Sequence, residues 1–329
     1  MMKRTVLSPI YILFVALSFF SCTKKEVQPV RFAIVSDLHA QDIPDGLERM
    51  KAVVDAANHE NVEFLIQLGD FVRLDSAAIP YRKVWDEYAG EKYHVLGNHD
   101  LDRYTKEEYV AGLHMPGRYY SFDKGDFHFI VLDGNNLYDG KEYKAYGRAN
   151  YYVDSKMRAF MDPEQLEWLK KDLAATDKRC IIFSHQSIDT TVNNGSEVRG
   201  ILEAENERCG FQKVALAFSG HTHSNYVKEI NGITYVQINS ASYVWIEQPS
   251  MTEKRYPKEI NDQYSLLSRS ITYDKPLYGI VTLTGEGAEL KGTKGEFMPP
   301  TPKEIGLGDT LDGFPLVSSI EDVKVKFKD

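Results

Sequence analysis

The chain has 329 residues, 43% of them apolar and 26% charged, enough to bury a sizeable core in one large domain or two small ones. Its 48 acidic residues outnumber its 39 basic ones, for a net charge of −9. That balance excludes broad nucleic-acid binding through counterion release, which needs basic surface. A small anionic substrate remains compatible with it, because bound cations reverse the sign locally.

In chain order, residues 1–22 read as a targeting segment outside the fold. Lys3 and Arg4 are charged, Pro9 to Phe20 is apolar except for Ser18, and Ser21-Cys22 closes the run. The apolar stretch is shorter than the ~20 residues a spanning helix needs. The segment resembles a bacterial lipoprotein signal, which implies an exported protein tethered to the membrane by lipid on Cys22, at the periplasmic or outer-membrane face. Cys180 and Cys209 are the remaining cysteines; two are no disulfide framework and read as buried thiols.

A linker over 23–30 leads into a strand-helix alternation expected over 31–292. Ile43, Leu47, Met50, Val54 and Ala57 recur at helical spacing and predict a helix over 44–60. Asp162-Pro163-Glu164-Gln165 is a helix start, with an Asp cap and Pro in the first turn, and Leu166, Leu169 and Leu173 form its stripe. A further helix is predicted over 196–208. Hairpins are expected around Asp123-Lys124-Gly125-Asp126 and around Asn231-Gly232, the strongest short hairpin signal. Gly279–Thr284 with Ala288–Gly292 is expected to complete a second sheet, and 293–329 to form an irregular extension.

Five short apolar runs each end in a hard polar cluster. Phe32–Val35 precedes Asp37-Leu38-His39, Phe64–Ile66 precedes Gly69-Asp70, and Tyr93–Leu96 precedes Gly97-Asn98-His99-Asp100. Cys180–Phe183 precedes Ser184-His185, and Val214–Phe218 precedes Gly220-His221-Thr222-His223. Polar groups directly after buried strands collect at the C-terminal edge of a sheet, where open α/β sheets bind ligands. Asp37, His39, Asp70, Asn98, His185, His221 and His223 therefore read as ligands of two metals. Mixed nitrogen and oxygen ligation without thiolate suits Mn, Fe, Zn or Ni. Two metals roughly 3.5–4 Å apart clamp an in-line displacement at phosphorus and generate hydroxide near neutral pH. Two divalent cations against two carboxylates and one hydroxide leave about one positive charge, which a phosphate ester neutralises.

His99 lies beside this set and precedes Asp100, so an imidazole-carboxylate pair between them is expected. It either protonates the leaving alkoxide or contacts phosphate oxygens. Arg73 can meet a second phosphate or simply pair with Asp75. The segment 138–152, with Tyr138, Tyr143, Tyr146, Tyr151, Tyr152 and Arg148, can stack a nucleobase over the pocket or merely pin a long loop. Tyr243 and Trp245 carry the same two readings.

The order Asp-x-His, Gly-Asp, Gly-Asn-His-Asp, His, Gly-His-x-His resembles the calcineurin-like metallophosphoesterase superfamily over roughly residues 31–240. The resemblance implies an α/β fold, a four-layer α-β-β-α sandwich of two mixed sheets with the metals at the strand ends. It implies one metal on Asp37, His39, Asp70 and His223, and another on Asp70, Asn98, His185 and His221, bridged by Asp70. It also implies His99 as proton donor and a hydroxide between the metals as nucleophile. Arg73, where many members carry an acidic or Asn residue, and Ser184-His185-Gln186 depart from the pattern. Asp37-Leu38-His39 excludes the purple acid phosphatase branch. Several stretches, Tyr119–Phe122, Phe129–Asp133 and Glu164–Leu169 among them, resemble the manganese-dependent ADP-ribose/CDP-alcohol diphosphatases. The expected activity is phosphodiester or pyrophosphate hydrolysis of a small phosphorylated substrate, with phosphomonoester hydrolysis on the same site, or a non-catalytic scaffold, as alternatives.

Overall fold

The computed structural model describes residues 27–328; the leader and Cys22 lie outside them. The first half runs β1 (Val30–Val35), α1 (Gly46–His59), β2 (Phe64–Gln67), α2 (Ile79–Trp85), β3 (Glu91–His94), α3 (Lys106–Gly112), β4 (Tyr120–Lys124) and β5 (Phe127–Leu132). A short ribbon, β6 (Asn136–Tyr138) with β7 (Tyr143–Ala145), precedes α4 (Pro163–Ala174), β8 (Arg179–Ser184), α5 (Gly195–Cys209) and β9 (Val214–Ser219). Then come β10 (Tyr226–Ile230), β11 (Ile233–Gln237), β12 (Tyr243–Trp245), α6 (Lys258–Gln263) and β13 (Ser270–Thr272). The chain closes with β14 (Gly279–Leu283), β15 (Gly287–Gly292), β16 (Thr310–Leu311), β17 (Phe314–Pro315) and β18 (Val323–Lys326).

Two six-stranded sheets carry the fold, ordered β18-β15-β14-β1-β2-β3 and β10-β11-β9-β8-β5-β4. Strands β1 to β3 run parallel, as do β5, β8, β9 and β11; antiparallel strands close both edges of the second sheet and one edge of the first, whose other edge is the parallel β3. Because successive side chains of a strand face opposite ways, β1 sends Phe32 and Ile34 into the space between the sheets and Ala33 and Val35 toward α1. Strand β8 does the same with Ile181 and Phe183 inward and Cys180 and Ile182 toward α4 and α5. Phe32 stacks on Phe64 at 4.7 Å and meets Phe129 edge-on at 5.9 Å, so aromatic rings join the two sheets. Helix α1 on one side, and α4 with α5 on the other, complete the four layers. Asp162 caps α4 by accepting the Gln165 N–H at 3.0 Å.

Two expectations change. The pair β14–β15 joins the sheet of β1, through β14, and not a sheet of later strands. Its alternation of buried Val281 and Leu283 with half-buried neighbours suits the flank of either sheet, so the pattern alone does not choose. Residues 293–329 are also not wholly irregular: β18 pairs with β15 and extends that sheet, and β16–β17 form a small hairpin.

Candidate metal centre

Each polar cluster stands where its strand stops. Asp37 and His39 follow β1, Asp70 follows β2, Asn98 follows β3, His185 follows β8, and His221 with His223 follow β9. The chain must turn sharply there to aim side chains across the sheet edge. Asp37, His39, Asp70, His221 and His223 all take left-handed backbone, with φ between 43° and 75°. Such conformations cost on the order of 1–3 kcal/mol each and persist at functional sites. Two glycines have no alternative: a Cβ on Gly97 would lie 2.1 Å from Asp70 Oδ1, and one on Gly220 would lie 1.8 Å from Ser36 Oγ.

Two ligand groups result, Asp37 with His39 and His223, and Asp70 with His185 and His221. His223 Nδ1–H donates to the Tyr243 carbonyl at 2.6 Å, and His185 Nδ1–H donates to the Leu68 carbonyl at 2.8 Å. Those bonds set the tautomers and leave each Nε2 with a lone pair. His223 Nε2 faces His39 Nε2 at 3.3 Å and Asp37 Oδ1 at 3.2 Å. His185 Nε2 faces Asp70 Oδ2 at 3.2 Å, Asn98 Oδ1 at 3.1 Å and His221 Nδ1 at 3.2 Å. Asp70 Oδ2 also lies 3.7 Å from His39 Nε2, so it stands between the groups. Asp37 Oδ2 is held by the Ser36 hydroxyl and by the His221 N–H at 2.9 Å, while Oδ1 is buried without a hydrogen-bond donor. Lone pairs converging at this range repel unless a cation lies among them. The donor set fits two metal ions.

The electrostatics agree. Burial pushes both carboxylates up, yet His223 and His185 beside Asp37, and His185 and His99 beside Asp70, hold each below the ordinary range. Burial lowers His185, but the Asp70 and Asp37 carboxylates outweigh it and raise it to about 9, so Nε2 sits in a field that holds a proton and would hold a cation in its place. Burial and the positive charge of His185 push His221 down to about 3. The pocket is a negative field lined with imidazoles, ready for cations.

His99 does not pair with Asp100. Asp100 accepts the N–H groups of Asp70, Phe71 and Gly97 at 3.1, 2.8 and 2.8 Å and the Tyr109 hydroxyl at 2.7 Å. It ties the turns together and is a brace. The reason is local: residues 99–101 form a tight 3-10 turn, in which neighbours diverge and positions three apart align. His99 Nδ1 accordingly meets Asp102 Oδ2 at 2.9 Å, with the Tyr151 hydroxyl at 3.1 Å and also bonded to Asp102. Burial opposes the charged ring, but Asp70 and Asp102 raise His99 to about 9. The spacing of Asp102 in a turn after Gly-Asn-His was the available signal for it; nothing local marked Tyr151.

A cavity of about 500 Å³ opens on His39, Asp70 and His99 and is walled by Trp245 and Tyr152, the latter 62% exposed. Tyr243 stacks on His39 at 5.2 Å and is buried, outside the lining of this cavity. Arg73 lines this cavity, bound to Asp42 at 2.8 Å and 3.8 Å from Asp75. Arg148 is not among the lining residues; it pairs with Glu108 at 2.6 Å and the Arg103 carbonyl at 2.9 Å. Tyr138 and Tyr143 stack on each other at 4.4 Å and pack on Phe160, pinning the loop.

The profile of the calcineurin-like phosphoesterase family matches residues 30–225. Among curated proteins, the manganese-dependent ADP-ribose/CDP-alcohol diphosphatase of Arabidopsis thaliana is 24% identical over 271 residues, covering 64% of this chain and 85% of that protein. The diphosphatase of the same name from Oryza sativa subsp. japonica is 25% identical over 252 residues, covering 58% and 77%. Among solved structures, a dimetal phosphatase from Danio rerio superposes with a TM-score of 0.58 at 16% identity over 83% of this chain and 99% of that one. GAP50, described as the anchor in the inner membrane complex of Plasmodium, superposes with a TM-score of 0.51 at 16% identity over 92% and 90%. At that identity the two structures speak for the fold.

Proposed function

The chain belongs to the calcineurin-like phosphoesterase family, and from that premise we propose that it hydrolyses phosphodiester or pyrophosphate bonds of small nucleotide-like substrates. It is a metal-dependent phosphoester hydrolase with a binuclear divalent-metal cofactor. Asp37, His39 and His223 would hold one ion, His185, His221 and Asn98 the other, with Asp70 shared. When bound, the two ions polarise phosphoryl oxygens and lower the pKa of water.

The observation that carries the reading is an oriented acid beside two cation sites. Asp102 Oδ2 lies 2.9 Å from His99 Nδ1 and accepts its proton, which fixes the ring's orientation. His99 lines the cavity next to Asp70 and is placed to give a proton to a departing alkoxide or phosphate. Trp245 and Tyr152 offer aromatic faces to whatever leaves on that side. The plant relatives are ADP-ribose/CDP-alcohol diphosphatases, which supports the pyrophosphate part of this reading. A phosphomonoesterase on the same site is the second reading. A pure scaffold is disfavoured because every proposed ligand and the proton donor are in place.

The test is reconstitution of the metal-stripped protein with Mn, Zn, Ni or Fe and assay of bis-p-nitrophenyl phosphate, p-nitrophenyl phosphate, ADP-ribose and CDP-choline. Diester turnover lost in His99→Ala and Asp70→Ala supports the proposal; turnover of the monoester alone moves the function to a phosphatase. We also propose export and lipid tethering through Cys22, on the leader's pattern. Mass spectrometry of the mature N-terminus checks it, and an unmodified Cys22 refutes it.

A further inference from the structure

The site opens on two sides. Besides the cavity at His39, Asp70 and His99, a second cavity of about 460 Å³ begins at His221 and His223, ligands that do not line the first. Trp245 borders both. This matters for a diester, given the phosphodiesterase reading on which the inference rests. Hydrolysis joins the water oxygen to phosphorus and breaks the bond from phosphorus to one ester oxygen. That oxygen takes its proton from His99, so the leaving half departs on the His99 side. The other ester oxygen stays on phosphorus, and its substituent needs room away from the line of displacement. A monoester has no such substituent.

The second cavity has a chemistry of its own. Thr190, Thr191 and Ser224 bring hydroxyls to its lining, and Trp245, Phe314 and Leu316 bring apolar surface. Lys156 and Asp312, both exposed at the rim, cancel in charge. Phe314 is held by stacking on Tyr226 at 5.6 Å, and the Tyr226 hydroxyl is tied to Asp189 at 3.2 Å. Hydroxyl groups together with aromatic surface, and exposed side-chain charges that cancel, suit a neutral hydroxylated ring. The far wall comes from residues 311–316, well beyond the 30–225 span that matches the family. We propose that this second cavity is the subsite for the retained half of the substrate, a neutral hydroxyl-bearing ring such as a ribosyl group, and that the C-terminal hairpin gives this chain its selectivity there.

The experiment keeps the leaving group constant and varies what is retained. The manganese-loaded full-length protein is assayed on p-nitrophenyl esters of thymidine 5′-phosphate, methyl phosphate and phosphorylcholine. The thymidine ester should exceed the other two in kcat/KM by about tenfold or more. Thr190→Trp, which fills the cavity from an exposed position, and Phe314→Ala should each erase that preference while changing the methyl ester by less than about twofold. In parallel, calorimetry should show thymidine 5′-monophosphate binding weakened by Thr190→Trp and methyl phosphate binding unchanged. Equal losses on all three esters, or a thymidine preference that survives both substitutions, overturn the subsite. If no diester turns over with any metal, the phosphodiesterase reading fails. The calorimetry then decides alone: binding insensitive to Thr190→Trp overturns the subsite too.

Discussion

The floor of the site and its rim are built on different terms. The floor is seven side chains delivered directly off strand ends, five of them on left-handed backbone. The rim is Asp102, Tyr151, Tyr152 and Trp245, carried by turns, a loop and the end of β12 that reach the ligand groups only through packing. Asp100 and Asp102 show the contrast within one turn. Asp100 is buried and braces three backbone N–H groups of the floor; Asp102, half-buried, holds the ring of His99, the proposed proton donor. Nearby carboxylates of the same type thus divide into a backbone brace and a partner of His99 by direction alone.

Substitutions can break this division. The largest effect is expected on the floor. Asp70→Ala, which removes the shared carboxylate, should cut kcat/KM by on the order of a thousandfold or more and leave less metal bound than Asp37→Ala, which touches one group. Metal content by emission spectroscopy, read beside activity, checks it; equal metal loss in the two variants would contradict a shared Asp70. Next comes Asp100→Ala, which strands buried donors and should cost about 3 kcal/mol or more of stability. A denaturant titration measures this, and a variant as stable as the parent would return Asp100 to the chemistry. Asp102→Asn should do the reverse, with kcat lower by about 10- to 100-fold and the unfolding midpoint nearly unmoved.

The smallest effect lies away from the site and tests whether buried histidines there serve structure. Burial disfavours the charge on His128, but Asp172 at 2.9 Å and Asp123 at 2.6 Å outweigh it and raise it above its ordinary 6.5. A raised folded value means the stabilisation is complete below the unfolded value and fades as pH climbs through the folded one. His128→Gln should therefore cost about 1 kcal/mol near pH 6 and less near pH 9. A cost that grows with pH would reverse the assignment.

The floor was legible because its signals are short-range. A buried strand alternates or saturates with apolar residues, and the polar group that follows must sit at its end. Phe32–Val35 before Asp37 carries both facts within a few residues, and Gly97 before Asn98 marks a close approach. The same local logic located α4 from Asp162-Pro163 and the hairpin at Asn231-Gly232. It failed at Asp100 because adjacency in sequence is not adjacency on a 3-10 turn, where His99 faces Asp102. It also failed for Arg148, whose turn sends it to Glu108, and for β14–β15, whose apolar spacing fits either sheet.

By itself, then, the sequence determined the strand-helix alternation and the candidate metal donors at its strand ends, since these follow from burial patterns and donor types within single segments, while the layered fold came from the resemblance those donors carry. Only the tertiary structure decided that Tyr151 reaches His99 from 52 residues away and that Trp245 stands between two cavities. It alone brought Phe314 to the same cavity as His221 and His223. Those contacts join loops far apart in the chain, and their geometry is set by how the sheets and helices pack, which no local pattern encodes.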